Sequence, residues 1–288
     1  MTDTTRRAMA LGALGLLAAP QRAGAAATRA REEAYGDHPR QRLDVHEYPG
    51  GRNGLSPMLL FVHGGGWNFG DKRAVNALPE YADRHGFILA STNYRLTPEV
   101  TARECAEDVA AAAAWMLQNG SRFGGDPRRL FIMGHSAGAH LVALVGVDPV
   151  YLERHGREPA DLAGVIPIDG AGYDAVKQMA RAPYPGRLGE RLDGMYEMAF
   201  GADPEGLSPT RRVKRGGRYP PFQIFHVERR ADAAEQSRGL AEALREAGGR
   251  AEVVAAPGET HRSINVGFGR DGDPEGERAA RFIRTGQL

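Results

Sequence analysis

Ser136 stands between two glycines in Phe131-Ile132-Met133-Gly134-His135-Ser136-Ala137-Gly138-Ala139-His140, directly after an apolar run and directly before an alanine-rich one. A serine on a sharp strand-to-helix turn projects its hydroxyl above the sheet, and small neighbours such as Gly134 and Gly138 let the backbone turn without a clash. Placed there, at the N-terminus of a helix, the hydroxyl is aimed for nucleophilic attack on a carbonyl carbon. A second stretch, Phe61-Val62-His63-Gly64-Gly65-Gly66-Trp67, sets a glycine triplet behind the apolar run 58–62. Consecutive residues without side chains can turn the N–H groups of Gly65 and Gly66 toward one point, beside the N–H of Ala137. Acyl transfer builds negative charge on the carbonyl oxygen, and losing one such donor costs about 10²–10³ in rate.

A serine hydroxyl needs a base, and the chain offers nine histidines. His261, in Pro257-Gly258-Glu259-Thr260-His261, follows the last apolar run in a loop and keeps the chain order serine, acid, histidine. His63, His135, His140 and His226 read as structural residues. For the acid, Asp232 is the expectation, because it lies between Ser136 and His261 in the loop after the run 222–227. Glu228 and Asp169 are the alternatives, each at the end of an apolar run. Asp232, three residues before Glu235, also fits a helix cap.

Elements must hold these groups together. The apolar runs 43–48, 58–62, 87–92, 130–133, 165–168, 222–227 and 251–255 read as strands, and 101–118, 137–147, 233–247 and 274–283 read as helices. Their alternation predicts an α/β fold, a mainly parallel sheet with helices on both faces. His63, Ser136, Asp169, Glu228 and His261 then all fall at carboxyl ends of strands, where such sheets gather their chemistry. Residues 148–163 and 172–219 are insertions expected to shape a pocket, with Trp67, Phe69, Tyr173, Tyr196 and Phe268 as candidate lining aromatics.

Taken together, the glycine triplet and the serine turn resemble those of α/β-hydrolase esterases with an HGGGW oxyanion motif, a group that includes hormone-sensitive-lipase-like carboxylesterases, feruloyl-esterase-like enzymes and kynurenine formamidases. Gly70-Asp71-Lys72, Asn93-Tyr94-Arg95-Leu96, Phe123-Gly124-Gly125-Asp126-Pro127 and Ile168-Asp169-Gly170 fit the same pattern. The resemblance implies the α/β-hydrolase fold over residues 43–288 and a serine hydrolase of small or aryl esters that uses Ser136, His261 and an acid, with no cofactor. An arylformamidase-like amidase and a catalytically silent binding module are the alternatives. One departure stands out. In the resembling pattern a strand ending near His-Gly leads within a few residues to Asp, but His226-Val227-Glu228-Arg229-Arg230-Ala231-Asp232 puts arginines at the commonest spacing.

Composition excludes more than it selects. A formal charge of +1 over 288 residues gives no electrostatic reason to expect nucleic acid. The histidines show no recognised metal-ligand spacing, and no phosphate loop or dinucleotide fingerprint follows the first strand, so neither metal nor cofactor is expected. Residues 1–25 follow the plan of an export signal: Arg6-Arg7, an apolar stretch, then small residues at Ala23, Ala25, Ala26 and Ala27. The paired arginines resemble a twin-arginine signal. The apolar stretch is too short for a permanent span, which implies a periplasmic or extracellular protein with an extension over 26–42. Cys105 is the only cysteine, so no intrachain disulfide can form, and its alanine-rich surroundings place it in a helix as a small apolar residue.

Overall fold

The computed structural model describes residues 29–47, 54–181, 183 and 185–288. The export-like segment expected over residues 1–25 lies outside them. Eight strands form one sheet: β1 (Arg29–Ala34), β2 (Arg42–Glu47), β3 (Ser56–Val62), β4 (Ile88–Thr92), β5 (Gly125–His135), β6 (Gly164–Ile168), β7 (Phe222–Val227) and β8 (Ala251–Ala256), in the spatial order β1-β2-β4-β3-β5-β6-β7-β8. β1 and β2 run antiparallel to their neighbours, and the other six strands are mutually parallel. β1 falls inside the stretch expected as an extension. Its polar sequence hid it, because an edge strand that leaves most side chains in solvent carries no apolar run.

The central strands are apolar without interruption because both faces are covered. In β3, Leu60 and Val62 face one core and Leu59 and Phe61 the other, as the two-residue strand period requires. The first core is closed by α2 (Ala102–Asn119), α3 (Ala137–Val147) and α8 (Ala231–Glu246). The second is closed by α1 (Leu78–His85), α9 (Ser263–Gly267) and α10 (Pro274–Thr285). Helix α2 begins at a capping box in which the Thr101 side chain accepts from the Glu104 N–H while Glu104 accepts from the Thr101 N–H. Cys105 sits in α2, buried as expected, with its thiol on the Arg95 carbonyl and pushed up to about 12 by burial.

Register brings the candidate residues to one rim. Val62 pairs with Gly134, His135 with Ile168, and Ile168 with Phe225, so β3, β5, β6 and β7 end level with one another. The insertion 172–219 folds as α5 (Ala175–Ala180), α6 (Gly186–Phe200) and α7 (Pro209–Arg212), and 148–163 carries the short α4 (Pro149–Glu153). Among the described residues, no helix is long and apolar enough to cross a membrane.

Candidate active site

The turn between β5 and α3 is as tight as the sequence implies. Ser136 has φ 56° and ψ −119°, a left-handed backbone that a residue with a side chain holds only when its surroundings impose it. Its N–H donates to the Ile168 carbonyl at 3.0 Å, tying the turn to β6. Gly138 is required by contact: a Cβ there would lie 2.2 Å from the Val62 carbonyl oxygen of β3. The serine thus owes its position to a helix packed against a neighbouring strand at a distance only glycine permits.

His261 lies in the loop between β8 and α9, with Nε2 3.0 Å from Ser136 Oγ. On its other side, Nδ1 lies 2.6 Å from Asp169 Oδ2. A proton on Nδ1, donated to that carboxylate, leaves the Nε2 lone pair facing the serine hydroxyl, the arrangement a general base requires.

Asp169 at the end of β6, rather than Asp232, therefore faces the histidine. Asp169 is 0% exposed and takes φ 48°, with its N–H on the Phe225 carbonyl at 2.8 Å and its Oδ1 accepting from the Val227 N–H at 2.9 Å. Burial pushes its carboxyl up, but the His261 hydrogen bond, the Arg230 charge and the Val227 N–H outweigh it and hold the group below the ordinary carboxylate range. Asp232 sits in the first turn of α8, where its Oδ2 accepts from Arg230 Nη2 at 3.1 Å. It does not cap that helix, since the cap position is Arg230 and no side chain bonds there. Glu228 is exposed and lies off the cavity wall. Pairing Asp169 with His261 spans 92 residues of sequence, and its only local sign was a carboxylate at the end of an apolar run.

The glycine triplet forms the facing wall. Gly65 and Gly66 have φ 124° and 54°, and the Gly65 carbonyl accepts from the N–H groups of Asn68 and Phe69 at 3.1 Å each. A Cβ on Gly65 would lie 2.0 Å from the Phe69 carbonyl oxygen, so this turn admits no side chain. The surrounding histidines lock the loop, as expected of structural residues. His63 stacks on Tyr94 at 4.5 Å and donates from Nδ1 to the Gly64 carbonyl at 2.7 Å. His140 accepts from Trp67 Nε1 at 3.3 Å and donates from Nε2 to the Leu207 carbonyl at 2.8 Å, joining the loop to α3 and the insertion. His135 bonds the His261 carbonyl through Nε2 at 2.9 Å. Burial drives His135 down to about 3 and His63 and His140 down to about 4, so all three stay neutral near pH 7.

Ser136, Ala137, Gly64, Gly65 and Gly66 open onto one cavity of about 960 Å³. Of the insertions, 172–219 reaches the wall through α6, which contributes Leu192, Met195 and Tyr196, whereas 148–163 contributes none of it. Trp67, Phe69 and Tyr196 line the cavity as the sequence suggests, but Tyr173 and Phe268 are buried in the two cores. Among the described residues, no three His, Cys, Asp or Glu side chains converge where they could hold a metal ion.

A family model described as the alpha/beta hydrolase fold matches residues 59–265. The chain belongs to the α/β-hydrolase family. Within it, the chain is 30% identical over 251 residues to the isoprenylcysteine alpha-carbonyl methylesterase ICME of Arabidopsis thaliana, covering 81% of this chain and 56% of that protein. It is 33% identical over 244 residues to esterase LipC of Mycobacterium tuberculosis, covering 80% of this chain and 59% of that one. The chain thus spans little more than half the length of these relatives. Esterase B from Lactobacillus Rhamnosis shares the fold, with a TM-score of 0.73 at 23% identity over 90% of this chain and 84% of its own.

Proposed function

We propose that this α/β-hydrolase is a serine carboxylic ester hydrolase in which Ser136 is the nucleophile, His261 the base and Asp169 the acid. The observation that carries the reading is the hydrogen-bonded line Ser136–His261–Asp169, at 3.0 and 2.6 Å, on the wall of a cavity faced by Gly65, Gly66 and Ala137. His261 takes the hydroxyl proton through Nε2 as Ser136 Oγ attacks the ester carbonyl. The N–H groups of Gly65, Gly66 and Ala137 hold the resulting oxyanion, and the imidazolium returns the proton to the departing alcohol. Water, activated by the same histidine, then releases the acid. Asp169 supports the imidazolium without taking its proton. The esterase and methylesterase names of the relatives favour esters over formamides. The cavity is walled by Trp67, Phe69, Leu192, Met195 and Tyr196, which suits a small or aryl ester. The export-like plan of residues 1–25 supports action outside the cytoplasm.

A fluorophosphonate probe should label the wild-type protein at Ser136 and leave Ser136→Ala unlabelled, while 4-nitrophenyl acetate should turn over far faster than N-formylkynurenine. Labelling elsewhere, or equal turnover by Ser136→Ala, overturns the serine assignment. Faster formamide cleavage makes the protein an amidase.

A further inference from the structure

Arg230 enters the site from the loop after β7, at the spacing where the resembling pattern carries its acid. Its side chain is 25% exposed, and its Nη1 makes three approaches: 2.7 Å to Asp169 Oδ2, 3.2 Å to the Asp169 carbonyl oxygen and 2.9 Å to His261 Nδ1. Its Nη2 donates to Asp232 Oδ2 at 3.1 Å. We propose that Arg230, balanced by Asp232, is a positioning residue for the serine line, fixing Asp169 against His261 and setting by its charge how readily the imidazole takes the serine proton. This rests on the reading of Ser136, His261 and Asp169 given above.

His261 Nδ1 cannot donate to Asp169 and accept from Arg230 at once. With the proton on Nδ1, the ring bonds Asp169 and its Nε2 faces Ser136 ready to accept. With the proton on Nε2, Nδ1 becomes an acceptor that Arg230 can satisfy, and the serine proton has no taker. Arg230 thus holds Asp169 in place but also favours the idle tautomer and, as a like charge, opposes the imidazolium. Asp232 offsets that opposition. When Ser136 attacks, two carboxylates face two cations and the cluster is neutral. Without Asp232 the same step would leave a net positive charge in a partly buried site.

The other groups around His261 complete the balance. From β5, His135 packs 4.6 Å away between ring centres and stays neutral through burial. Tyr173, against Gly170 beneath Asp169, is kept in its neutral form by burial. Tyr196 of α6, which acts on the Arg230 charge, and Arg191 and Arg229 also line the cavity. On the loop of His261 itself, Glu259 is engaged by the Ser263 hydroxyl and Arg262 is exposed.

Substitutions in the cluster should shift the pH dependence of kcat/KM on 4-nitrophenyl acetate in opposite directions. Arg230→Met leaves two uncompensated carboxylates beside the imidazole, so the acidic limb should move up by about one pH unit. Loss of the clamp on Asp169 should also lower kcat about ten- to a hundredfold. Asp232→Asn should move the limb down by a comparable amount. Arg230→Lys should leave the limb near the wild-type position while losing part of kcat, because the charge remains and the fork does not. A merely structural arginine would lower activity at every pH and leave the limb where it is. A limb unmoved in both Arg230→Met and Asp232→Asn, or moved the same way in both, overturns the proposal. Should Arg230→Met fail to fold, as judged by thermal melting, Asp232→Asn and Arg230→Lys decide it. Ser136→Ala and Asp169→Asn measured alongside separate the two claims: if they keep full turnover, the serine reading itself has failed, whereas crippled controls with an unmoved limb defeat only the role of Arg230.

Discussion

Gly65 and Asp169 both line the cavity from positive-φ backbone, at 124° and 48°. Gly65 occupies a backbone conformation and a gap that exclude a Cβ, and it lines the same cavity as Ser136. Gly65→Ala should therefore lower kcat about 10²–10³-fold with little change in KM, since the N–H contact matters most in the transition state. Steady-state kinetics on a 4-nitrophenyl ester reads this directly, and an effect confined to KM would remove Gly65 from the oxyanion role. Ser136 and the glycine triplet were legible in the sequence because each is a local pattern whose geometry follows from consecutive residues. His261 was legible from its place after the last strand. Asp169 stood only as an alternative, because its contact with His261 depends on sheet order and register, whereas Asp232 was preferred for its place in the loop after β7, between Ser136 and His261.

At the scale of elements, the site depends on how closely α3 approaches β3. A Cβ at Gly138 would strike the Val62 and His63 carbonyls. Gly138→Ala should push the helix away, destabilise the protein by about 1–3 kcal/mol and abolish most activity. Thr101→Ala makes an informative contrast. It removes the cap of α2 on the protein surface and should cost about 1 kcal/mol, a fall in Tm of a few degrees, with turnover unchanged. Thermal melts paired with activity assays test both, and a Gly138→Ala protein of wild-type Tm and turnover would contradict the packing argument. The central strands and α2, α3, α8 and α10 were readable because burial gives continuous apolar runs or a periodic apolar face, whereas α6 lay unread inside the insertion 172–219. β1 and α1 were missed where short, polar or mixed segments fold only because a neighbour pairs with them.

Across the whole molecule, two cores flank one sheet, and burying His63, His135 and His140 in or beside them ties stability to pH. Their folded-state values, about 4, 3 and 4, lie below the ordinary 6.5, so between about pH 6.5 and 4 the unfolded chain binds more protons than the folded one. Stability should thus be fully present above pH 6.5 and fall on acidification, by up to about 1.4 kcal/mol per histidine for each pH unit. Urea unfolding at pH 7, 5.5 and 4.5 measures this, and a flat profile would contradict the neutral burial of these rings. Which acid the sheet order delivers to His261 decides how the serine line works. The turnover number of Asp169→Asn, compared with that of Asp232→Asn at neutral pH on 4-nitrophenyl acetate, tests it most directly. A fall of about 10²–10⁴ in Asp169→Asn, well beyond that in Asp232→Asn, is the result predicted. Near-normal turnover in Asp169→Asn with collapse in Asp232→Asn would contradict it.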